Sequence, residues 1–157
     1  MAVDKKISEL HEFLEKEGKA ENTMFVILSD HGDMFGKKGI WGHRGRIYNE
    51  VANVPLILYH PEMESERISE PVELKTLCDT LLEVSRGELG GIERRGEAFI
   101  EYYGLDTQQS FKPWKKFEDV EKDKWACYQA GLVKDGYKLI WDSNGKKELY
   151  DMNKDFS

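Results

Sequence analysis

The first apolar positions of the chain recur with a helical period. Over residues 3–17 the apolar side chains fall three or four positions apart, with lysines and glutamates between them. A single apolar stripe beside a charged face is typical of an amphipathic helix, and Gly18 is a suitable residue to end it. The stripe consists of Val3, Ile7, Leu10, Phe13 and Leu14.

Two uninterrupted apolar runs follow the helix. The first, "TMFVILS", covers Thr23–Ser29, and the second, "PLILYH", covers Pro55–His60. Neither alternates between apolar and polar positions, which favours strands covered on both faces, as in a parallel sheet. Between them "RIYNEVANV" is long enough to hold a helical turn.

The second half of the chain changes from helical to strand patterns. Pro71–Val84 carries Leu74, Leu77, Leu81 and Leu82 on one side of a predicted helix. Glu97–Gly104 has the composition of a strand, and Leu105–Lys122 is predicted to be a long polar loop. Three short strand-like runs follow near 125–133, 137–142 and 147–151. Because "KDG" and "SNGK" separate them, an antiparallel meander is predicted.

The order of elements predicts an α/β fold with a few parallel strands, helices and a small C-terminal antiparallel sheet. We expect two parts, a partial α/β domain over residues 1–104 and a subdomain of loop and antiparallel strands over residues 105–157. The first helix starts without a capping sequence, and the chain stops at "YDMNKDFS". Both ends lead us to expect a fragment of a larger domain.

Composition narrows the classes of partner. The chain of 157 residues has a net charge of −7 and a pI near 5.2, which argues against nucleic acid because phosphates demand a positive face. No apolar run approaches the roughly 20 residues that span a bilayer, and the N-terminus has no secretory pattern. We therefore expect neither a nucleic-acid nor a membrane partner.

The two cysteines favour a reducing compartment. Cys78 falls in the second predicted helix and Cys127 in a predicted strand. Two buried thiols in the cytoplasm are the expected arrangement, and a disulfide between them has little support.

Candidate chemistry is concentrated in Leu28–Gly45, "LSDHGDMFGKKGIWGHRG". Asp30 and His31 follow the first predicted strand directly, at the end of a strand where α/β sheets bind ligands. A carboxylate oxygen and an imidazole nitrogen suit Mg²⁺, Mn²⁺, Ca²⁺ or Zn²⁺. Asp, His and Gly are also ordinary turn residues, so these residues alone leave a metal site and a simple turn both open.

A longer stretch that contains these residues resembles a known family. "LSDHGDMFGKKGIWGHRGRIYNEVANVPLILYHP" is similar to the C-terminal signature of the sulfatase family within the alkaline phosphatase superfamily. The preceding helix and strand, the "ISEPVELKTLCDTLLEV" helix and the final strands resemble the family in the same order. The resemblance covers most of the chain and implies the C-terminal part of an alkaline-phosphatase-like sandwich.

The resemblance also implies roles for three residues. In the family a divalent metal is held by two acidic residues from an early strand and by a late Asp and His or Asn. Asp30 and His31 stand at the late positions, so they are the implied ligands of Ca²⁺, Mn²⁺ or Mg²⁺. His43 stands where the family has a basic residue that binds the anionic substrate, and a histidine there would make anion binding depend on pH. The ion and this residue polarise a sulfate or phosphate ester for nucleophilic attack.

Other polar residues of the stretch have ordinary interpretations. His43 itself, without the resemblance, is interpreted as a loop histidine packed against Trp41. Arg44 and Arg46 are alternative anion binders or surface residues, and Asp33 is expected to accept backbone hydrogen bonds within the turn. Lys37 and Lys38 stand where the family usually has Glu-His, and this departure either alters the rim of the site or has no effect on it. No chemical role is assigned to the remaining candidates, which are Tyr48, Asn49, Glu50, His11 and His60.

Two parts of the family site are missing from this sequence. The nucleophile motif is Cys/Ser-x-Pro-x-Arg, and the nearest match, Ser69–Glu73, ends in Glu and lies after the metal pair. Asp4 is the only aspartate before Asp30, so the early acidic pair is absent too. We expect no complete catalytic set here, and weak metal binding, because a hard cation takes about six or more donors.

The sequence thus predicts the C-terminal portion of a metal-dependent sulfuric ester hydrolase that is inactive alone. An N-terminal partner segment would complete it for a small-molecule sulfate or phosphate ester. Two alternatives stay open. One is a phosphodiester or phosphonate hydrolase, or a phosphotransferase, of the same superfamily. The other is a non-catalytic remnant that self-associates as a homo-oligomer through an exposed sheet edge.

Overall fold

The computed structural model describes residues 2–43, 45–104 and 127–155. The predicted loop Leu105–Lys122 and Arg44 lie outside these residues. None of the described helices is long and apolar enough to cross a membrane. The described α-helices are α1 (Ala2–Lys16), α2 (Asn49–Ala52) and α3 (Leu77–Ser85). The described strands are β1 (Phe25–Leu28), β2 (Leu56–Tyr59), β3 (Glu97–Tyr102), β4 (Gln129–Lys134), β5 (Tyr137–Asp142) and β6 (Lys147–Asp151).

The chain divides into two compact units, of which the first contains α1, β1 and β2. It is formed by Met1–Ser29 and Pro55–Arg67. β1 and β2 pair antiparallel, with Phe25 opposite Tyr59, so the prediction of parallel strands is wrong for this pair. A continuous apolar run contains no information on strand direction. A parallel pair needs a crossover, usually a helix, and the connection here has only the single turn of α2 as α-helix.

α1 forms where the apolar stripe predicted it. The His11 ring on α1 lies 5.3 Å from the Phe25 ring and 5.8 Å from the Tyr59 ring, which places it against one face of the two strands. The apolar side chains of Val3, Leu10 and Phe13 stay exposed. The stripe therefore predicted the helix correctly, although much of it is uncovered in the described structure.

The second unit consists of Asp30–Val54 and Ile68–Ser157 and contains a four-stranded sheet. Its strands follow the order β3-β4-β5-β6, and each neighbouring pair is antiparallel. The predicted meander is confirmed, and β3 is its first strand. Asp135 and Gly136 join β4 to β5 with φ values of 50° and 79°, the left-handed pair that a tight Asp-Gly hairpin requires. The predicted boundary between residues 104 and 105 adjoins undescribed residues and stays a prediction.

The inner face of this sheet packs against residues on both sides of His43 in the sequence. β5 alternates strictly, with Lys138, Ile140 and Asp142 buried. Ile140 forms a small core with the buried side chains of Met34, Ile47 and Tyr48. The sheet thus provides the surface on which Met34, Ile47 and Tyr48 pack. The opposite face of β5 carries Tyr137, Leu139 and Trp141, all exposed.

Two sequence predictions about burial are wrong. Leu77 is buried, but Leu81 and Leu82 of α3 are exposed, because the buried face of this helix runs through Leu77 and Thr80. Cys127 is buried as predicted, whereas Cys78, one residue after Leu77, is exposed. Adjacent helical residues point about 100° apart, so the burial of Leu77 does not extend to Cys78.

Candidate functional site

The candidate site begins two residues after β1, at the turn formed by Asp30, His31 and Gly32. The Gly32 N–H donates to the Val51 carbonyl at 2.8 Å. A Cβ at Gly32 would lie 2.0 Å from the backbone carbonyl oxygen of Glu50. Only glycine lets the two backbones approach this closely, and this contact fixes where the turn runs.

Asp30 and His31 converge at this turn. The His31 N–H donates to Asp30 Oδ1 at 2.9 Å, and His31 Nε2 lies 3.6 Å from Asp30 Oδ2. His31 Nδ1 is 3.0 Å from the Gly32 carbonyl oxygen. A carbonyl can only accept, so Nδ1 carries the proton in that contact and Nε2 carries the lone pair of the neutral ring. This tautomer is the one a metal ligand requires at Nε2.

The donor pair fits a divalent cation in distance and in chemistry. Ligand atoms bind Mg²⁺, Mn²⁺ or Ca²⁺ at about 2.1–2.5 Å, so two atoms at right angles around one ion lie roughly 3.0–3.5 Å apart. The observed separation of 3.6 Å is close to that range. The Asp30 side chain is 86% exposed and that of His31 43% exposed, which leaves room for water or further ligands. Among the described residues no group of three or more His, Cys, Asp or Glu could hold a metal.

The structure also brings His43 to this pair. The His43 ring stacks on the His31 ring, with centroids 3.9 Å apart and planes inclined by 24°. This contact differs from the packing on Trp41 that the stretch alone suggested, and the Trp41 side chain is 80% exposed. All three predicted site residues therefore lie together, and their roles stay predictions.

The electrostatics of the turn favour an ionised aspartate. The pKa of Asp30 is lowered from its ordinary value, chiefly by the hydrogen bond from the His31 N–H and then by the positive charge that the His31 ring carries when both of its nitrogens are protonated. The charge of His43 acts in the same direction. Asp30 thus stays anionic at neutral pH and can bind a cation without releasing a proton.

The other polar residues of the stretch have structural partners. Arg46 donates to the Gly45 carbonyl at 2.8 Å. Asp33 accepts the Phe35 N–H at 3.0 Å, the hydrogen bond expected for it within the turn. Lys37 pairs with Glu50 at 3.3 Å, and the Lys38 ammonium lies 4.9 Å from the centre of the Tyr48 ring. Arg44 lies outside the described residues.

Ser69–Glu73, the nearest match to the nucleophile motif, makes structural contacts through Glu73. Glu73, which stands where the motif requires Arg, accepts the Phe99 N–H at 2.6 Å and pairs with Lys75 at 2.5 Å. The first contact ties the residues before α3 to β3, and the second is local to that segment. The pKa of Glu73 is lowered, first by the hydrogen bond from Lys75, as expected for a carboxylate in an ion pair.

Sequence reasoning missed a buried lysine that contacts the segment around α2. Lys138 is 2% exposed, and it lines a cleft of about 320 Å³ together with Lys38, Tyr48, Asn49 and Tyr150. Asp30, His31 and His43 are not among the residues lining that cleft. The alternation of apolar and polar residues in "YKLIWD" could have predicted this burial, because it places Lys138 in the same row as the buried Ile140.

The sequence of the chain is similar to those of known sulfatases. The chain is 27% identical over 155 residues to a sulfatase of Formosa agariphila, covering 95% of this chain and 28% of the relative. It is 34% identical over 146 residues to choline-sulfatase of Rhizobium meliloti, covering 83% of this chain and 27% of the relative. The chain therefore spans less than a third of the length of these two relatives.

A solved structure supports the same assignment at the level of the fold. The crystal structure of the phosphonate monoester hydrolase of Agrobacterium radiobacter matches with a TM-score of 0.69 at 21% identity, over 98% of this chain and 33% of that one. It confirms the predicted fold class, a partial domain of the alkaline-phosphatase-like kind. The family model named Sulfatase matches residues 1–87, more than half of the chain and all of the Asp30–His31–His43 cluster. This chain belongs to the sulfatase family.

Proposed function

We propose that this chain is the C-terminal part of a metal-dependent sulfuric ester hydrolase. The observation that carries the proposal is the Asp30–His31–His43 cluster after β1, within the residues that match the sulfatase model. Asp30 and His31 would be the late metal ligands, and His43 would bind an oxygen of the anionic substrate. A sulfate ester, in a small molecule or a glycan, is the proposed substrate class because the named relatives are sulfatases.

The residues of this chain would contribute charge and orientation. Asp30 offers a full negative charge to a cation, and the Gly32 carbonyl holds His31 with Nε2 as the acceptor atom. His43, when protonated, donates to a substrate oxygen from its position on the His31 ring. A bound divalent ion would supply polarisation of the ester and neutralise the charge that develops in the transition state. The nucleophile and the early acidic ligands would come from residues outside this sequence.

The metal part of the proposal is tested by Mn²⁺ titration followed by NMR. We expect Mn²⁺ to broaden the resonances of Asp30, His31 and His43 first. The concentration required should be roughly millimolar, because two donors supply only part of a coordination shell. Asp30→Ala should abolish this selective broadening. Asp33→Ala is the matched control, since Asp33 serves the turn, and it should leave broadening at His31 in place. Broadening that survives Asp30→Ala would contradict the proposal.

The incomplete catalytic set has its own test. The chain incubated with Mn²⁺ or Ca²⁺ should not hydrolyse 4-nitrophenyl sulfate, because no Cys/Ser-x-Pro-x-Arg motif is present in it. Metal-dependent turnover abolished by Asp30→Ala would show that a nucleophile lies within these residues.

A phosphonate or phosphodiester hydrolase is the second candidate, favoured by the fold match to the phosphonate monoester hydrolase. Comparing aryl sulfate with aryl phosphonate in a chain that contains the motif separates the two.

A further inference from the structure

Lys138 is a buried cation in the inner row of the central strand β5. Its side chain is 2% exposed, and its neighbours in the buried row are Ile140 and Asp142. Taking an ammonium group out of water costs several kcal/mol unless polar partners replace the water. Burial accordingly lowers the pKa of Lys138 to about 8, although the Glu50 carboxylate acts in the opposite direction.

The partners of this ammonium lie on a different segment of the unit. Nζ donates to the Ile47 carbonyl at 2.5 Å and to Asn49 Oδ1 at 3.0 Å. The first oxygen belongs to Ile47, two residues before α2, and the second to Asn49, the first residue of α2. The ammonium therefore fastens residues 47–49 to the centre of the sheet.

The fastened segment in turn supports the candidate metal turn. The Val51 carbonyl accepts the Gly32 N–H at 2.8 Å, and the Glu50 carbonyl oxygen would lie 2.0 Å from a Cβ at Gly32. Gly32 follows His31 directly, and its carbonyl holds the His31 ring. Hydrogen bonds to residues 47–49 and from Gly32 to Val51 thus connect Lys138, through the backbone of residues 47–51, to the residue next to His31.

We propose that Lys138 is a positioning residue that holds the Asp30–His31–Gly32 turn in place through residues 47–51. The C-terminal sheet then has a function at the site although none of its side chains belongs to the Asp30–His31–His43 cluster. Calling the turn a metal pair rests on the proposed function above. The positioning role itself does not require a metal.

An apolar side chain would satisfy the packing at this position. The specific contribution of the lysine is the hydrogen bonds that its ammonium donates to Ile47 O and Asn49 Oδ1. Replacing Lys138 alone by an apolar side chain of similar size removes the cost of burying its charge, but it leaves its two acceptor oxygens unpaired, so the loss falls on residues 47–49. Lys138→Met would fill the same space and leave Ile47 O and Asn49 Oδ1 without this donor. In this variant we therefore expect the sheet to keep its stability while the Asp30–His31–Gly32 turn becomes less ordered.

Amide hydrogen exchange of the full chain without metal tests the proposal. In Lys138→Met the Gly32 amide should exchange about tenfold faster, the effect of losing charged hydrogen bonds that support it. Amides in the β4–β5 ladder should change by less than about twofold. Lys138→Arg retains charge and donors and should keep Gly32 close to the wild-type rate. Lys134→Met is the matched control, because Lys134 is an exposed lysine on β4 paired with Glu97.

The outcomes decide between positioning and general stability. A folded Lys138→Met protein with unchanged Gly32 exchange would overturn the proposal, and so would equal acceleration at Gly32 and in the β4–β5 ladder. If Lys138→Met does not fold, Asn49→Leu removes one acceptor instead and should accelerate Gly32 exchange by a smaller factor. No acceleration in that variant would also overturn it. Because no metal is present, a turn that fails to bind Mn²⁺ leaves this result unaffected.

Discussion

At the scale of single residues, the side chains proposed to bind ligands and the residue that fixes the backbone of the turn are different residues. Asp30 carries the negative charge and is almost fully exposed, whereas Gly32 carries no functional group and is constrained by the Glu50 backbone. The sequence identified Asp30, His31 and His43 through a family pattern. It could not reveal that the His43 ring stacks on His31, because that contact depends on the path of the eleven residues between them.

Gly32 should be the least tolerant residue of the turn. Gly32→Ala places a methyl group 2.0 Å from the Glu50 carbonyl oxygen, so one of the two backbones must move. We expect the free energy of unfolding to fall by about 2 kcal/mol or more, through strain and loss of the hydrogen bond to Val51.

Urea denaturation measures this change. Gly91→Ala is the matched control, because a Cβ at Gly91 meets nothing within 4 Å, and it should change stability by less than about 0.5 kcal/mol. Equal stability of the two variants would show that the Glu50 carbonyl moves away at little cost.

At the scale of elements, local patterns predicted strands and helices better than their pairing. The hairpin between β4 and β5 was predictable because "KDG" requires only local backbone geometry. The antiparallel pairing of β1 with β2 was not, since the runs 25–28 and 56–59 are apolar in either direction. The exposed Leu81 and Leu82 were also missed, because periodicity identifies a stripe but does not identify which part of it is covered.

The β4–β5 turn should depend on its glycine more than on its aspartate. Gly136 has a φ of 79°, and a Cβ there would lie 3.3 Å from Asn153 Nδ2. Gly136→Ala should lower the free energy of unfolding by about 1 kcal/mol, the cost of a left-handed conformation for an L-residue. Asp135→Asn should be nearly neutral because asparagine tolerates the same conformation. Thermal unfolding of both variants tests this, and equal melting temperatures would contradict it.

At the scale of the whole molecule, a single buried lysine should shape the pH dependence of stability. The pKa of Lys138 is lowered from 10.5 to about 8 by burial. Between these values the unfolded chain holds a proton that the folded chain has released, so the free energy of unfolding rises with pH. Below pH 8 the lysine is protonated in both states and adds no slope.

We therefore expect stability to increase from pH 8 to about pH 9.5, and Lys138→Met to remove the increase. Denaturation curves at half-unit steps of pH would measure it. The range ends there because the pKa of Tyr48 is raised above 10 by burial, and its ionisation has the opposite sign: the unfolded chain loses that proton first. A Lys138→Met protein with the same pH slope as the wild type would rule out Lys138 as the source.

The exposure of the Asp30 side chain has a consequence for how mutations act in a cell. Since 86% of that side chain is already in solvent, replacing it removes little that holds the chain folded. A substituted protein would accumulate to normal abundance and escape proteases and chaperones, which recognise unfolded chains. Substitutions at Gly32 would instead lower the amount of protein. Loss at the first position is therefore visible only in an assay of binding or turnover, and loss at the second already in a measurement of protein level.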